Sequence, residues 1–85
     1  MAVRTYSNPK VVSPKTVTSL KQGILFEMAA TTDDTVVVNE LAAVTAAVAF
    51  KASDATAVDV TVLGKTITVT EESLTNEKLI VLALG

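Results

Sequence analysis

The 85-residue sequence predicts an all-β fold: a small antiparallel β-sandwich or barrel-like domain of about 5–7 strands with an extended N-terminal arm. Three observations carry this. The stretch Ala57 to Thr70, AVDVTVLGKTITVT, alternates apolar and polar residues on both sides of Gly64-Lys65. Ile24, Phe26 and Met28 alternate in the same way with Leu25, Glu27 and Ala29. Short polar breaks, Thr31-Thr32-Asp33-Asp34 and Ser53-Asp54, separate apolar runs of strand length. A period of two is the signature of strands with one dry face.

Taken in order, residues 1–15 form the predicted arm and residues 16–85 a single β-rich domain. Pro9 and Pro14 remove backbone donors and Ser7-Asn8-Pro9 favours a turn, which argues against a regular central strand there. The β signal begins near Thr16 and Val17, with Gly23 as a bend or bulge before Ile24. Ile24 to Ala30 and Thr35 to Val38 are expected to pair as a hairpin around the Thr31 to Asp34 break. Asn39 to Lys51, NELAAVTAAVAFK, supports two readings. Its alanines, the Asn39 cap and the spacing Leu41, Val44, Val48 suit a helix over about residues 40–50, making the domain α+β. The period-two set Val44, Ala46, Val48 and Phe50 suits a strand over Val44 to Lys51, and this is the preferred reading because a meander then leads directly into Val58.

In the central hairpin a glycine at the first loop position suits a type II′ turn. That turn pairs Leu63 with Thr66, Val62 with Ile67, Thr61 with Thr68 and Val60 with Val69, and places Asp59 opposite Thr70. The valines and Ile67 then share a dry face. After Glu71 to Glu77, a polar connection with room for one helical turn, Leu79 to Leu84 (LIVLAL) is apolar on both faces, as expected of a strand covered from two sides.

Composition narrows the chemistry. With 0 Cys and 0 His, disulfides, the usual zinc ligand sets, thiol nucleophiles and histidine-based triads are excluded. No cofactor or metal site is assigned, and no enzymatic activity is expected. Gly64-Lys65-Thr66 matches the end of a phosphate-binding loop, but Asp59 stands where that motif needs a glycine and the flanks are strands. Asp33-Asp34 and Glu71-Glu72 lack the alternating oxygen-ligand spacing of a calcium loop. The longest apolar run, Leu41 to Phe50, is about half of the ~20 residues that a membrane-spanning helix needs, and no membrane partner is expected. MAVRTYSNPK lacks the apolar core of a signal peptide, so secretion by that route is not expected.

Charge is unevenly distributed. Arg4, Lys10, Lys15 and Lys21 give the first 21 residues +4 without an acid, against −6 for the remainder, which recovers the net −2. The acidic body and a sequence pI of about 4.9 argue against nucleic acid. A small domain buries only about 60–65% of its unfolded surface. Here 49% of residues are hydrophobic and 4% aromatic, so apolar surface in excess of the domain's own needs is expected to be buried against further copies or a larger body. The arm is the predicted contact, with Arg4, Tyr6, Lys10, Val11, Val12 and Lys15 as its partner-binding residues.

The arm Arg4 to Lys15, the hairpin VDVTVLGKTITV and the apolar stretch LIVLALG together give the chain the general character of a small cement, decoration or minor virion protein of tailed bacteriophages, which it resembles. The resemblance covers most of the chain but transfers no residue-level site. It implies a non-enzymatic structural subunit of the virion that forms a homo-oligomer and docks on a capsid lattice. The alternative expectation is an immunoglobulin-like or pilus-like binding module at the cell surface or outside the cell, with Thr-rich strands and an apolar strand serving adhesion.

Overall fold

The computed structural model describes residues 2–12, 23–41 and 43–85, with the side chains of Val11 and Val12 outside that description. The expected onset of β structure at Thr16 and Val17 lies outside the described residues, as do Lys15 and Lys21. Among the described residues there are nine strands and no helix: β1 (Val3–Arg4), β2 (Ser7–Val12), β3 (Gly23–Ala30), β4 (Thr35–Val37), β5 (Ala46–Lys51), β6 (Ala57–Val58), β7 (Val60–Leu63), β8 (Thr66–Val69) and β9 (Glu77–Leu84). They form two sheets, β1-β4-β8-β7 and β2-β3-β9-β5-β6. The chain is all-β. The count exceeds the expected 5–7 because β1 and β6, two residues each, mark places where the chain passes from one sheet to the other.

The β7–β8 hairpin has the expected register: Leu63 pairs Thr66, Val62 pairs Ile67, Thr61 pairs Thr68 and Val60 pairs Val69. Gly64 has φ +62° and Lys65 is not left-handed, which is the backbone of a type II′ loop. Ile67 and Val69 are fully buried, and Val60 and Val62 pack against the core from the edge. The hairpin does not extend below Val60 as a ladder. Val58 belongs to β6 and pairs Ala49 in the other sheet, so the chain changes sheets at Asp59, whose carbonyl still accepts from the Thr70 amide at 2.9 Å.

The expected hairpin between Ile24 to Ala30 and Thr35 to Val38 is not formed. β3 pairs β2 and β9, while β4 pairs β1 and β8. Thr31 to Asp34 is a crossing between sheets, and its hydrogen bonds show why. The Asp33 amide donates to the Val69 carbonyl at 2.8 Å and the Val69 amide to the Asp34 carbonyl at 2.9 Å, committing the segment to β8 before β4 starts. Asp33 sits at φ 74°, a left-handed position that Asp tolerates.

Residues 46–51 are strand, so the α+β alternative with a helix near 40–50 does not hold. Alanine's helix preference is a few tenths of a kcal/mol per residue, and ladder bonds plus burial outweigh it. β5 pairs β9 over six residues from Ala46–Leu84 to Lys51–Leu79, and Ala49 is buried where a larger side chain would force the sheets apart. The segment following β8 holds turns and bends with no helical turn; its Leu74 is buried.

The core lies between the sheets. Ile24, Phe26, Met28, Leu79, Val81 and Ala83 face Val36, Ile67 and Val69 in one cluster. At ~1.5–3 kcal/mol for each fully buried large aliphatic or aromatic side chain, this cluster is the main favourable term in the fold. Pro9 falls within a register shift in edge strand β2, between Ser7–Glu27 and Lys10–Leu25, where a missing amide interrupts no inner ladder. In the turn after β5, Ala55 is held at φ 60°, which costs an alanine roughly 1 kcal/mol that glycine does not bear. Ala55→Gly should therefore raise stability by up to about 0.5 kcal/mol after the added freedom of the unfolded chain is set against the relieved strain, read as a higher urea midpoint with unchanged slope.

Candidate functional site

The two sheets differ in what they show to solvent. Outside the four-stranded sheet, Thr35, Thr68 and Thr61 pair in succession across β4, β8 and β7, a face suited to water. Outside the five-stranded sheet the side chains are mainly aliphatic and aromatic, with Lys10, Glu27 and Lys78 as charged members. Leu25 on β3, Val48 and Phe50 on β5, and Ile80 and Leu84 on β9 are each between 36% and 49% exposed, with half-buried Leu82 among them. Their neighbours in sequence, Ile24, Phe26, Ala49, Leu79, Val81 and Ala83, fill the core. The alternation is structurally sound on both faces, and only the core face is covered. β9 is therefore apolar on two sides, as the sequence predicts, but its second side meets solvent.

Register makes this face continuous. Leu25 pairs Leu82, which pairs Val48 on its other side; one row along, Glu27 pairs Ile80, which pairs Phe50. Contiguous exposed apolar patches of a few hundred Å² on a small protein mark interaction surfaces. At one margin lie Lys10, opposite Leu25, and the Glu27–Lys78 ion pair at 3.0 Å. The Lys78 and Asn8 hydrogen bonds hold the Glu27 carboxyl below its usual pKa. Asn8, Lys10, Leu25, Glu27 and Ile80 line a shallow hollow of about 170 Å³ there.

The residues predicted to bind a partner through the arm occupy different environments. Arg4 finds its carboxylate within its own chain: its Nε donates to Asp34 Oδ2 at 2.6 Å, and its guanidinium also reaches Asn76 and Thr31. Tyr6 is half-buried, its ring centroid 4.6 Å from that of Phe26, and its hydroxyl donates to Glu40. Partial burial, and then that bond to Glu40, raise the tyrosine pKa. Lys10 is exposed on β2. Val11 and Val12 are in β2 by backbone, and Lys15 lies outside the described residues. β1 and β2 are thus strands of two different sheets.

Asp34 is the buried polar centre at one end of the sandwich. One carboxylate oxygen accepts the Ala2 amide at 2.9 Å; the other accepts the Thr31 amide at 2.9 Å and Arg4 Nε. The Thr31 amide bond and then Arg4 hold its carboxyl below the ordinary aspartate range. These donors occupy the group that the Asp33-Asp34 pair would offer to calcium. Among the described residues no three His, Cys, Asp or Glu side chains gather as a metal site.

The sequence reading missed the apolar outer face, because a strand apolar on both sides carries no mark of which side is covered. The signal was present in Leu79 to Leu84 together with Val48 and Phe50. No family model, curated protein or solved structure matches this chain.

Proposed function

We propose that the chain is a non-enzymatic structural subunit of a larger protein assembly, of the kind that cements or decorates a bacteriophage capsid. One observation carries the reading: the outer face of β3, β9 and β5 is apolar, continuous and uncovered in an otherwise well-packed sandwich. Such a face is stabilised by contact with other protein, and its centre of Leu, Ile, Val and Phe within a charged margin has the anatomy of an interface. The general character of a minor virion protein supplies the kind of assembly.

Particles from the source organism, banded on a density gradient and analysed by quantitative mass spectrometry, should contain the chain in copy numbers matched to lattice positions. A chain found wholly in the soluble fraction overturns the reading.

A further inference from the structure

We infer that β7, an edge strand of the four-stranded sheet, accepts an extended strand from a partner protein, which continues that sheet as a fifth strand. This edge is separate from the outer face on which the assembly reading stands.

The sheet edges are β1 and β7 in one sheet and β2 and β6 in the other. Unpaired edges invite further strands, and proteins blunt them with charge, proline, bulges or shortness. Three of the four edges carry such devices. β2 has Pro9, exposed Lys10 and a register shift with Asn8 at φ 52°. β1 is two residues long and ends in Arg4, and β6 is two residues long. β7 is twice that length, and Val60-Thr61-Val62-Leu63 is uncharged, lacks proline and pairs β8 without a register break.

The hydrogen-bond pattern shows what this edge leaves open. The Thr70 amide donates to the Asp59 carbonyl at 2.9 Å. Bonded positions alternate along an antiparallel ladder, so Thr61 and Leu63 bond β8, while Val60 and Val62 turn amide and carbonyl to the other side. Among the described residues no backbone bond outside the β7–β8 ladder reaches Val60 or Val62. The open stretch ends at the hairpin tip, where the Val44 amide donates to the Gly64 carbonyl at 2.8 Å. The edge is also accessible. Val60 and Val62 face the core yet stay only half-buried, whereas Ile67 and Val69 on the neighbouring strand are fully buried.

These groups specify the occupant. Amides and carbonyls repeating at every second residue are matched by the backbone of an extended chain, which is the chemistry of strand addition. Residues of the added strand opposite Val60 and Val62 lie on the core side, where a charge would be buried without a partner. The residue opposite Thr61 continues the Thr35–Thr68–Thr61 row on the wet side. The partner therefore offers an uncharged strand in which β-branched apolar residues alternate with threonine or serine.

The probe is a capped peptide of the β8 sequence Lys65 to Glu71, KTITVTE, whose isoleucine and valine already match Val62 and Val60 across the hairpin. It is titrated into isotope-labelled protein and followed by amide shifts and hydrogen exchange. In the free protein the Val60 and Val62 amides should exchange about tenfold faster than those of Thr61 and Leu63, and saturating peptide should shift them and slow them by about tenfold. Methylating the peptide nitrogens of its isoleucine and valine should abolish both effects. Methylating that of the threonine between them should leave both, because this nitrogen points away from β7. These changes leave the protein untouched, so its folding is not at stake. No response at Val60 and Val62 with millimolar peptide, a response confined to another edge, or equal binding of the two methylated peptides overturns the inference. Protection of these amides that rises with protein concentration alone also overturns it, because a second copy then closes the edge. Peptide pairing on β7 in a chain absent from every particle sustains this inference and removes the assembly reading; a chain that bands with particles but has an inert β7 does the reverse.

Discussion

Phe26→Ala should remove about 3–5 kcal/mol, a large share of the domain's stability at 25 °C. The side chain is 1% exposed on β3, opposite Val81 in the ladder, with its ring against Tyr6. Truncating a buried Phe costs about 3–5 kcal/mol, part from lost transfer free energy and part from the cavity left behind. At ~0.05–0.15 kcal/mol per residue, a chain of this length has a total stability of the same order. The cavity will not close easily, because Phe26 is held against Val81 in the β3–β9 ladder and the chain has few other bulky side chains with which to refill it. Leu63→Ala, at a position 85% exposed, removes as familiar a hydrophobic group but should change stability by no more than about 0.5 kcal/mol. Urea unfolding of both variants checks the pair. A cooperative transition for Phe26→Ala near the wild-type midpoint would show that the core is elsewhere.

Asp34→Asn should be the most damaging substitution at any polar position in the described chain. The amide keeps the size of the carboxylate but replaces one acceptor oxygen with an NH₂ group, so of the Ala2 amide, Arg4 Nε and the Thr31 amide at least one donor faces a donor. The guanidinium, about two-thirds shielded, also loses its counter-charge. The effect has a pH signature. The Asp34 carboxyl has a folded-state pKa below its unfolded value of 3.8, so the folded protein binds fewer protons than the unfolded one in that window. The contribution is therefore complete at neutral pH, begins to fall as pH approaches about 4, and is lost as pH drops through the lower folded value. Urea midpoints measured from pH 7 to pH 2.5 should show wild type and Asp34→Asn far apart at neutrality and converging in acid. A gap that stays constant with pH would mean that the carboxylate charge is not what holds this end of the sandwich.

The parts of this fold that were legible in sequence are those decided locally. A period-two pattern and a glycine in a two-residue loop determine the β7–β8 register without reference to any other strand, and the paired residues agree one by one. The parts that were not legible depend on distant partners. Thr31-Thr32-Asp33-Asp34 reads equally as a hairpin turn or as a crossing, and the choice is made by Val69, Ala2 and Arg4. The alanines of β5 favour a helix locally and are overruled by β9. The same limit applies to the candidate site. The basic residues near the start were conspicuous as a charge imbalance, yet Arg4 turns inward to an aspartate 30 positions away. The surface that distinguishes the molecule is assembled from β3, β5 and β9, which no short window of sequence brings together.

The position of β9 also bears on how the sandwich is reached from the unfolded chain. The last of the nine strands in sequence is the middle strand of its sheet, inserted between β3 and β5, which do not pair with each other. Before it docks, each of those neighbours presents a full row of unsatisfied amides and carbonyls toward a slot one strand wide. Closing the slot requires contacts at large sequence separation, which makes the step slow compared with hairpin formation. During that interval the slot accepts any strand of matching pattern, and the best match in solution is the β9 of another molecule. Refolding yield should therefore fall as protein concentration rises, a dependence that a dilution series measures.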